Sequence, residues 1–296
     1  MKRIAITGSN GFIGKHLVSF FETNNFEVFK LQRSSENKKN TFKWVLGNNL
    51  PKKVLDADVI IHCAHDNGPE SLKNEIHKNI NYIGLKKILL NLRSKPKYEF
   101  YFISSQSAHK YTKSYYGRLK FAMENLINFK EKDRFETIIR PGMVYGHNSY
   151  ITLLIKEISK LKVIPFFSFD KNIQPIDISD LVNCIYKIVF QDISLKLNEY
   201  NLASYDALSF KEYVKFICKD NNLPYPFFIY IPKKLIIFFS KIVDLLKITK
   251  FSLTERLYGL IYLKKLNVNK SLQSINYKLV SRFTEKNDYR RNNKNS

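Results

Sequence analysis

Thr7-Gly8-Ser9-Asn10-Gly11-Phe12-Ile13-Gly14 follows directly on the apolar run Ile4-Ala5-Ile6 and opens a stretch with apolar residues at Phe12, Ile13, Leu17, Phe20 and Phe21. Three glycines therefore stand where a first strand turns into a first helix. Gly8 permits the tight turn, Gly11 lets a diphosphate approach the backbone with no β-carbon in the way, and Gly14 lets the helix pack close on the strand. The free N–H groups and positive dipole end of that helix then hold the anion. A glycine triplet also suits an ordinary strand-to-helix turn. With a strand before it and an amphipathic helix after it, the stretch reads as a dinucleotide-binding loop that uses Gly8, Asn10, Gly11, Phe12, Ile13 and Gly14.

Working outward, apolar runs at 3–7, 26–31, 58–63, 98–104 and 135–139 alternate with helical patterns at 12–23, 70–93 and 115–130. That alternation predicts an α/β, doubly wound parallel sheet with crossover helices. Segment 34–40 reads as a polar loop. Beyond Arg140-Pro141-Gly142 the alternation loosens into a helix at 149–160, a strand at 173–178, a helix at 179–191, a strand at 198–202 and a helix at 209–220. Residues 1–165 are expected to form the dinucleotide-binding domain, to which 173–191 returns. Residues 166–296 are expected to form a smaller, mostly helical substrate lobe, whose tail after Thr284 is too polar to fold alone.

Among 296 residues, 49 Lys and Arg stand against 26 Asp and Glu, a net charge of +23; residues 232–296 alone hold 15 basic against 4 acidic. A solvated lysine-rich surface accounts for this, as does an anionic partner. Nucleic acid is not expected, because no recognition motif accompanies the charge. Cys63, Cys184 and Cys218 lie far apart with no zinc or disulfide spacing, so no metal is expected and cytoplasm is the default location. Neither a signal peptide nor an apolar run of the ~20 residues that a membrane helix needs is read. The stretch 235–248, taken as a helix, is very apolar, with Ser240, Lys241, Asp244 and Lys247 on one stripe. It suits a helix buried in the lobe, or a peripheral membrane contact through 232–250 with lysines toward anionic headgroups.

Tyr116 and Lys120 are four residues apart on a predicted helix, so the ammonium lies one turn from the phenol. A fixed cation there stabilises phenolate and draws a phenol pKa of about 10 toward working pH. Upstream, the strand Phe100-Tyr101-Phe102-Ile103 ends at Ser104-Ser105, where doubly wound sheets bind ligands. Ser105 can hydrogen-bond a substrate oxygen while Tyr116 exchanges its proton. At the end of the second strand, Leu31-Gln32-Arg33-Ser34 offers no acid for a ribose hydroxyl, and Arg33 leans the cofactor toward NADP.

Glycine loop 7–14, Asp58-Val-Ile-Ile-His-Cys-Ala64, Ser104-Ser105, Tyr116-Gly-Arg-Leu-Lys120, Arg140-Pro-Gly-Met-Val-Tyr-Gly146 and Gln174-Pro-Ile-Asp-Ile-Ser-Asp180 together resemble the extended short-chain dehydrogenase/reductases over residues 1–180. That group contains nucleotide-sugar epimerases, dehydratases and reductases. The resemblance implies a Rossmann fold, NAD(P) as cofactor, and Ser105, Tyr116 and Lys120 as the catalytic set, with Lys120 also on the nicotinamide ribose. By the same likeness Ala64 lines the cofactor, Ser104 stands at its edge, and Pro141 to Val144 lie near the nicotinamide. It also implies a nucleotide-linked or polyprenyl-diphosphate-linked sugar as substrate, a role in surface-polysaccharide synthesis, and a homodimer. Two departures bear on the reaction. Only ten residues separate Ser105 from Tyr116, so the substrate contacts of sugar epimerases do not transfer directly. Gln106-Ser107 follow Ser105 in place of an acidic pair, which disfavours dehydration. The expectation is a 4-epimerase; the alternatives are an NADPH-dependent 4-keto-sugar reductase and a non-catalytic dinucleotide-binding sensor.

Overall fold

A computed structural model describes residues 2–34, 39–68, 75–127, 133–160, 163–166, 172–246 and 252–280. Parts of the expected loop 34–40, of the helices at 70–93 and 115–130, and of the stretch 232–250, together with the tail after Thr284, lie outside the described residues. The strands are β1 (Arg3–Thr7), β2 (Glu27–Gln32), β3 (Thr41–Lys43), β4 (Val59–His62), β5 (Tyr98–Ile103), β6 (Arg134–Pro141), β7 (Met143–Tyr145), β8 (Val163–Phe166), β9 (Pro175–Asp177), β10 (Glu199–Leu202) and β11 (Phe227–Tyr230). The helices are α1 (Phe12–Thr23), α2 (Lys52–Leu55), α3 (Ile80–Arg93), α4 (Tyr115–Glu124), α5 (Tyr150–Lys160), α6 (Ile178–Phe190), α7 (Phe210–Asp220), α8 (Lys233–Leu245), α9 (Leu253–Ile261) and α10 (Asn269–Ser274).

Seven strands form one sheet in the order β10-β6-β5-β4-β1-β2-β3, and every pairing in it is parallel. Successive side chains on a strand point to opposite faces, and the apolar runs supply both. Ile4, Ile6, Val59, Ile61 and Tyr101 go to one face with Leu17 and Phe21 of α1 and Leu181, Ile185 and Ile188 of α6. Ala5, Ile60, Phe100 and Phe102 go to the other with Leu85, Ile88 and Leu92 of α3 and Leu119 and Met123 of α4. The result is the doubly wound Rossmann-type sheet that the alternation predicts. Chain order reverses between β1 and β4, and the crevice at their C-terminal ends is where such sheets take ligands.

A third cluster joins Tyr145, Ile155 of α5, Ile173, Tyr213 and Ile217 of α7, and Leu263. Beside it, β8 pairs with β11, and α8 packs on α9. The chain then returns: Val268, Leu272 and Ile275 are buried in the first cluster, and α10 lies against β10.

Several boundaries differ from the sequence reading. The helix read from 70 begins at Ile80, because Asn79 caps it by accepting the Asn81 N–H at 2.9 Å, after one 3-10 turn at Ile76–Lys78. The helix read to 130 ends at Glu124, with Asn125 as its C-cap. Strands β3, β7, β8 and β11 were not expected; at three or four residues they are too short to show a period.

Candidate active site

The loop after β1 makes its turn with Gly8 at φ +66°, and a β-carbon there would fall 2.8 Å from the Ala64 backbone. A β-carbon on Gly14 would come within 2.2 Å of the Gly8 carbonyl oxygen, so only glycine lets α1 seat this close. Gly11 occupies the N-cap of α1 with no side-chain cap, and the first turn carries no acidic residue. The N–H groups of that turn are therefore left for an external anion. The loop opens into a cleft of about 780 Å³ lined by Gly8, Asn10, Gly11, Phe12, Ile13 and Gly14, by Arg33 after β2, by Ala64 and His65 after β4, and by Met143 and Val144 of β7. Its size and its cradle fit the diphosphate and nucleoside arms of a dinucleotide.

The segment after β4 is fixed from below. Thr7 Oγ1 accepts the Ala64 N–H at 3.2 Å and lies 2.7 Å from His62 Nδ1. Burial first, then the Lys120 charge, pushes the His62 pKa down to about 3, so its ring is neutral. Buried Asn81 holds Asp66 from both sides, accepting its N–H at 2.7 Å and donating to its carbonyl at 3.1 Å. His65 is thereby set edge-on to the Tyr116 ring, with centroids 5.1 Å apart and planes at 88°. Its Nδ1 is buried and has no hydrogen-bond partner among the described residues. Nothing in the sequence spacing pointed to His65; it stands one residue past the Asp58–Ala64 stretch.

Ser105, Tyr116 and Lys120 come together across the end of β5. Burial pushes the Tyr116 phenol up, and a hydrogen bond with the Ser105 hydroxyl partly offsets this. Ser105 Oγ also accepts the Ser107 N–H at 3.2 Å, which orients it. Lys120 is 4% exposed and donates to the Ile103 carbonyl at 2.8 Å. Its ammonium lies 4.7 Å from the Phe102 ring centroid and 6.0 Å from that of Tyr116. Burial draws the Lys120 pKa down to about 8, against smaller opposing effects of Cys63 and Glu124. The phenol is thus neutral in this arrangement, whereas the spacing alone predicted a lowered pKa: removal from water outweighs a cation that faces a carbonyl.

Two expected cofactor residues point elsewhere. Ser104 donates to Glu124 Oε1 at 2.5 Å, and Glu124 in turn receives a bidentate Arg140 at 2.7 Å on each oxygen. Pro141 is buried at the end of β6, paired with Leu202, and its carbonyl accepts the Gln106 N–H at 2.9 Å.

Residues far along the chain hold the same elements in place. Glu255 of α9 accepts the Tyr115 N–H at 2.7 Å and the Ser114 hydroxyl at 3.3 Å, capping the helix that carries Tyr116 and Lys120. Gln106 donates to the Asn172 and Lys264 carbonyls at 2.6 and 3.1 Å, and His109 Nε2 lies 2.6 Å from the Tyr262 carbonyl. These long-range clamps left no signal in the sequence.

Comparison with known proteins bears on this arrangement. The model of the NAD dependent epimerase/dehydratase family matches residues 4–203. A sterol-4-alpha-carboxylate 3-dehydrogenase, decarboxylating, of Dictyostelium discoideum is 29% identical over 118 residues, which cover 36% of each chain. The chain spans less than half the length of the curated relatives it matches. Among solved structures, a human epimerase family protein with NADPH superposes with a TM-score of 0.71 at 16% identity, covering 94% of this chain and 95% of that one. MoeE5 in complex with UDP-glucose and NAD superposes with a TM-score of 0.68 at 15% identity, covering 96% and 95%.

Proposed function

Since this chain belongs to the NAD dependent epimerase/dehydratase family, we propose that it oxidises and re-reduces C4 of a nucleotide-linked sugar as a 4-epimerase, with Ser105, Tyr116 and Lys120 as its catalytic set. The observation that carries this reading is the meeting of those three side chains directly behind His65, which lines the cleft that the glycine loop opens and packs edge-on to Tyr116. The glycine loop, Ala64 and Val144 would hold NAD(P), which when bound supplies the hydride acceptor and donor. A structural neighbour bound to UDP-glucose and NAD supports a sugar nucleotide as the second ligand.

Tyr116 exchanges a proton with the C4 oxygen, and the Ser105 hydroxyl donates to that same oxygen, so that charge arising there meets two polarised O–H groups. Lys120 places positive charge within reach of the phenol and offsets part of the cost of a buried phenolate. Gln106 stands where elimination would need an acid, and its amide is engaged with the Asn172 and Lys264 carbonyls. Loss of water at the neighbouring carbon has no proton donor there.

A second reading, an NADPH-dependent 4-keto-sugar reductase, is favoured by the neutral state of Tyr116, which suits proton donation to a ketone, and by Arg33 on the cleft wall. Incubation with UDP-glucose or UDP-N-acetylglucosamine separates the two. A C4 epimer seen by NMR, with no net change in NADH absorbance, supports the epimerase. NADPH consumption only when a 4-keto sugar is added supports the reductase. Tyr116→Phe is expected to lower kcat by about 10²–10⁴-fold with dinucleotide binding retained. Full turnover in that variant would overturn both readings.

A further inference from the structure

We propose that the outward face of α8 is a membrane-docking surface, which seats the C-terminal lobe on bilayers rich in anionic lipid. An ordinary surface helix turns its apolar stripe inward and its polar residues to water. Helix α8 departs from this by turning two polar side chains inward and leaving a broad apolar arc outside. Buried Ser240 faces α9, its hydroxyl 2.9 Å from Thr254 Oγ1, and Asp244 accepts the Ser252 hydroxyl and the Leu253 and Thr254 N–H groups at 2.8, 2.7 and 3.1 Å, capping α9. With those two polar side chains turned in, the opposite arc carries Leu235, Phe238, Phe239, Leu245 and Leu246, all exposed, with Phe238 at 58%, Phe239 at 56% and Leu245 at 80%. Phe227, on the strand two residues before the helix, is exposed as well. An apolar face of this extent is a contact surface.

The charge around the arc selects the occupant. Lys234 and Lys241, both exposed and seven residues apart, stand at one edge of the arc, and no carboxylate lies on its exposed positions. Long lysine stems can lie along an apolar surface with the ammonium at headgroup level, as in interfacial helices. The sequence from residue 232 onward is basic by 15 to 4, which adds attraction to an anionic leaflet. A second copy of the chain on this face would set lysines against lysines. Residues 281–296 offer only Phe283 and Tyr289 as large apolar side chains and are themselves basic. At 13 residues, α8 is too short to cross a bilayer, so the contact lies in the plane of the interface.

The test is flotation of the full chain with vesicles of phosphatidylcholine alone and with phosphatidylglycerol added at about 30%. The chain is expected to float with the anionic vesicles and to stay behind with the neutral ones. Phe238→Glu/Phe239→Glu is expected to cut partitioning by at least about tenfold, and Lys234→Glu/Lys241→Glu to weaken it severalfold and flatten its salt dependence. Circular dichroism and dinucleotide binding, both unchanged, confirm that these variants fold. Absence of flotation with either vesicle overturns the proposal, as does equal flotation of the phenylalanine variant. A dimer in light scattering that the phenylalanine variant turns into a monomer would assign the face to self-association instead. Vesicle binding needs no turnover, so this result stands or falls apart from the sugar chemistry.

Discussion

Two buried lysines sit at opposite ends of β5, and their surroundings differ in one decisive respect. At the N-terminal end Lys196, 2% exposed, donates to Glu99, to the Tyr101 hydroxyl at 2.6 Å and to the Val189 carbonyl at 3.1 Å. Glu99 also takes Lys2 at 2.6 Å. Burial alone would raise the Glu99 pKa, but Lys196, Lys2 and the Tyr101 hydroxyl together hold it below the ordinary carboxylate range. At the C-terminal end Lys120 has a tyrosine beside it too, but its hydrogen bond goes to a carbonyl, and Glu124, one turn on, is occupied by Arg140 and Ser104. The first lysine is neutralised in place and the second is not. A buried charge matched by a carboxylate is part of the framework; one left unmatched beside a cleft is available for chemistry.

Replacing each lysine by methionine breaks the comparison open. Lys120→Met is expected to lower turnover by about 10²–10⁴-fold, because Tyr116 loses the charge that shares its proton transfer. The same variant is expected to be more stable than the parent at pH 7 by about 1–3 kcal/mol, since a buried ammonium without a carboxylate is replaced by an apolar side chain of similar length. The pH dependence identifies the group. With the folded value at about 8 and the unfolded value near 10.5, the unfolded chain holds more protons between them. Parent stability therefore rises with pH through that window, and the advantage of Lys120→Met shrinks there. Urea midpoints at pH 7 to 10 measure both, and a destabilised Lys120→Met would remove the distinction between the two ends.

Lys196→Met is expected to go the other way and cost about 1–3 kcal/mol, because it removes the buried cation from Glu99 and leaves only the partly exposed Lys2 and the Tyr101 hydroxyl on that carboxylate. Turnover per folded molecule should not change. Glu99 titrates below its unfolded value, so the stability that it contributes is present above about pH 4 and is lost as pH falls through the lower folded value. In Lys196→Met that acid-side loss should be smaller. Unfolding followed from pH 7 to 3 checks it, and identical acid profiles would mean that Glu99 is not held by Lys196.

How much of this was legible in the sequence follows from how local each cause is. The glycine loop and the strand-helix alternation act over a few residues, so Gly8, Gly14 and the sheet were readable. The four-residue spacing likewise placed Tyr116 and Lys120 on one face of α4. The state of the phenol was not readable, because burial and the Ile103 carbonyl belong to the fold. Glu255 and Gln106 act on α4 and its loop across 140 and 158 residues, and no periodicity reports such pairs. For α8 the stripe of Ser240 and Asp244 was visible, but its direction was decided by hydroxyl and N–H partners on α9. An amphipathic pattern defines two faces; only tertiary contacts say which one turns in.

Arg33 gives the smallest effect and refines what an unmatched charge means. It lies on the cleft wall just past β2, and its Nη1 is 3.9 Å from Asp66 Oδ1, a loose and exposed pair worth little. Gln32 beside it keeps its Nε2 buried with no partner among the described residues. The C-terminal end of β2 offers no acid to a ribose hydroxyl, whereas Asp66 competes with any 2′-phosphate for the guanidinium. Arg33→Ala is expected to raise the Kd for NADPH about tenfold, the loss of one charge-assisted contact, and to leave NADH within about twofold. Asp66→Asn should shift the ratio in the opposite direction by a smaller factor, because it releases Arg33 and removes a like charge from the phosphate. Titration of each variant with both dinucleotides measures the two ratios. Equal losses for NADPH and NADH in Arg33→Ala would make Arg33 a general attractor of anions, and the preference for NADP would then have no residue behind it.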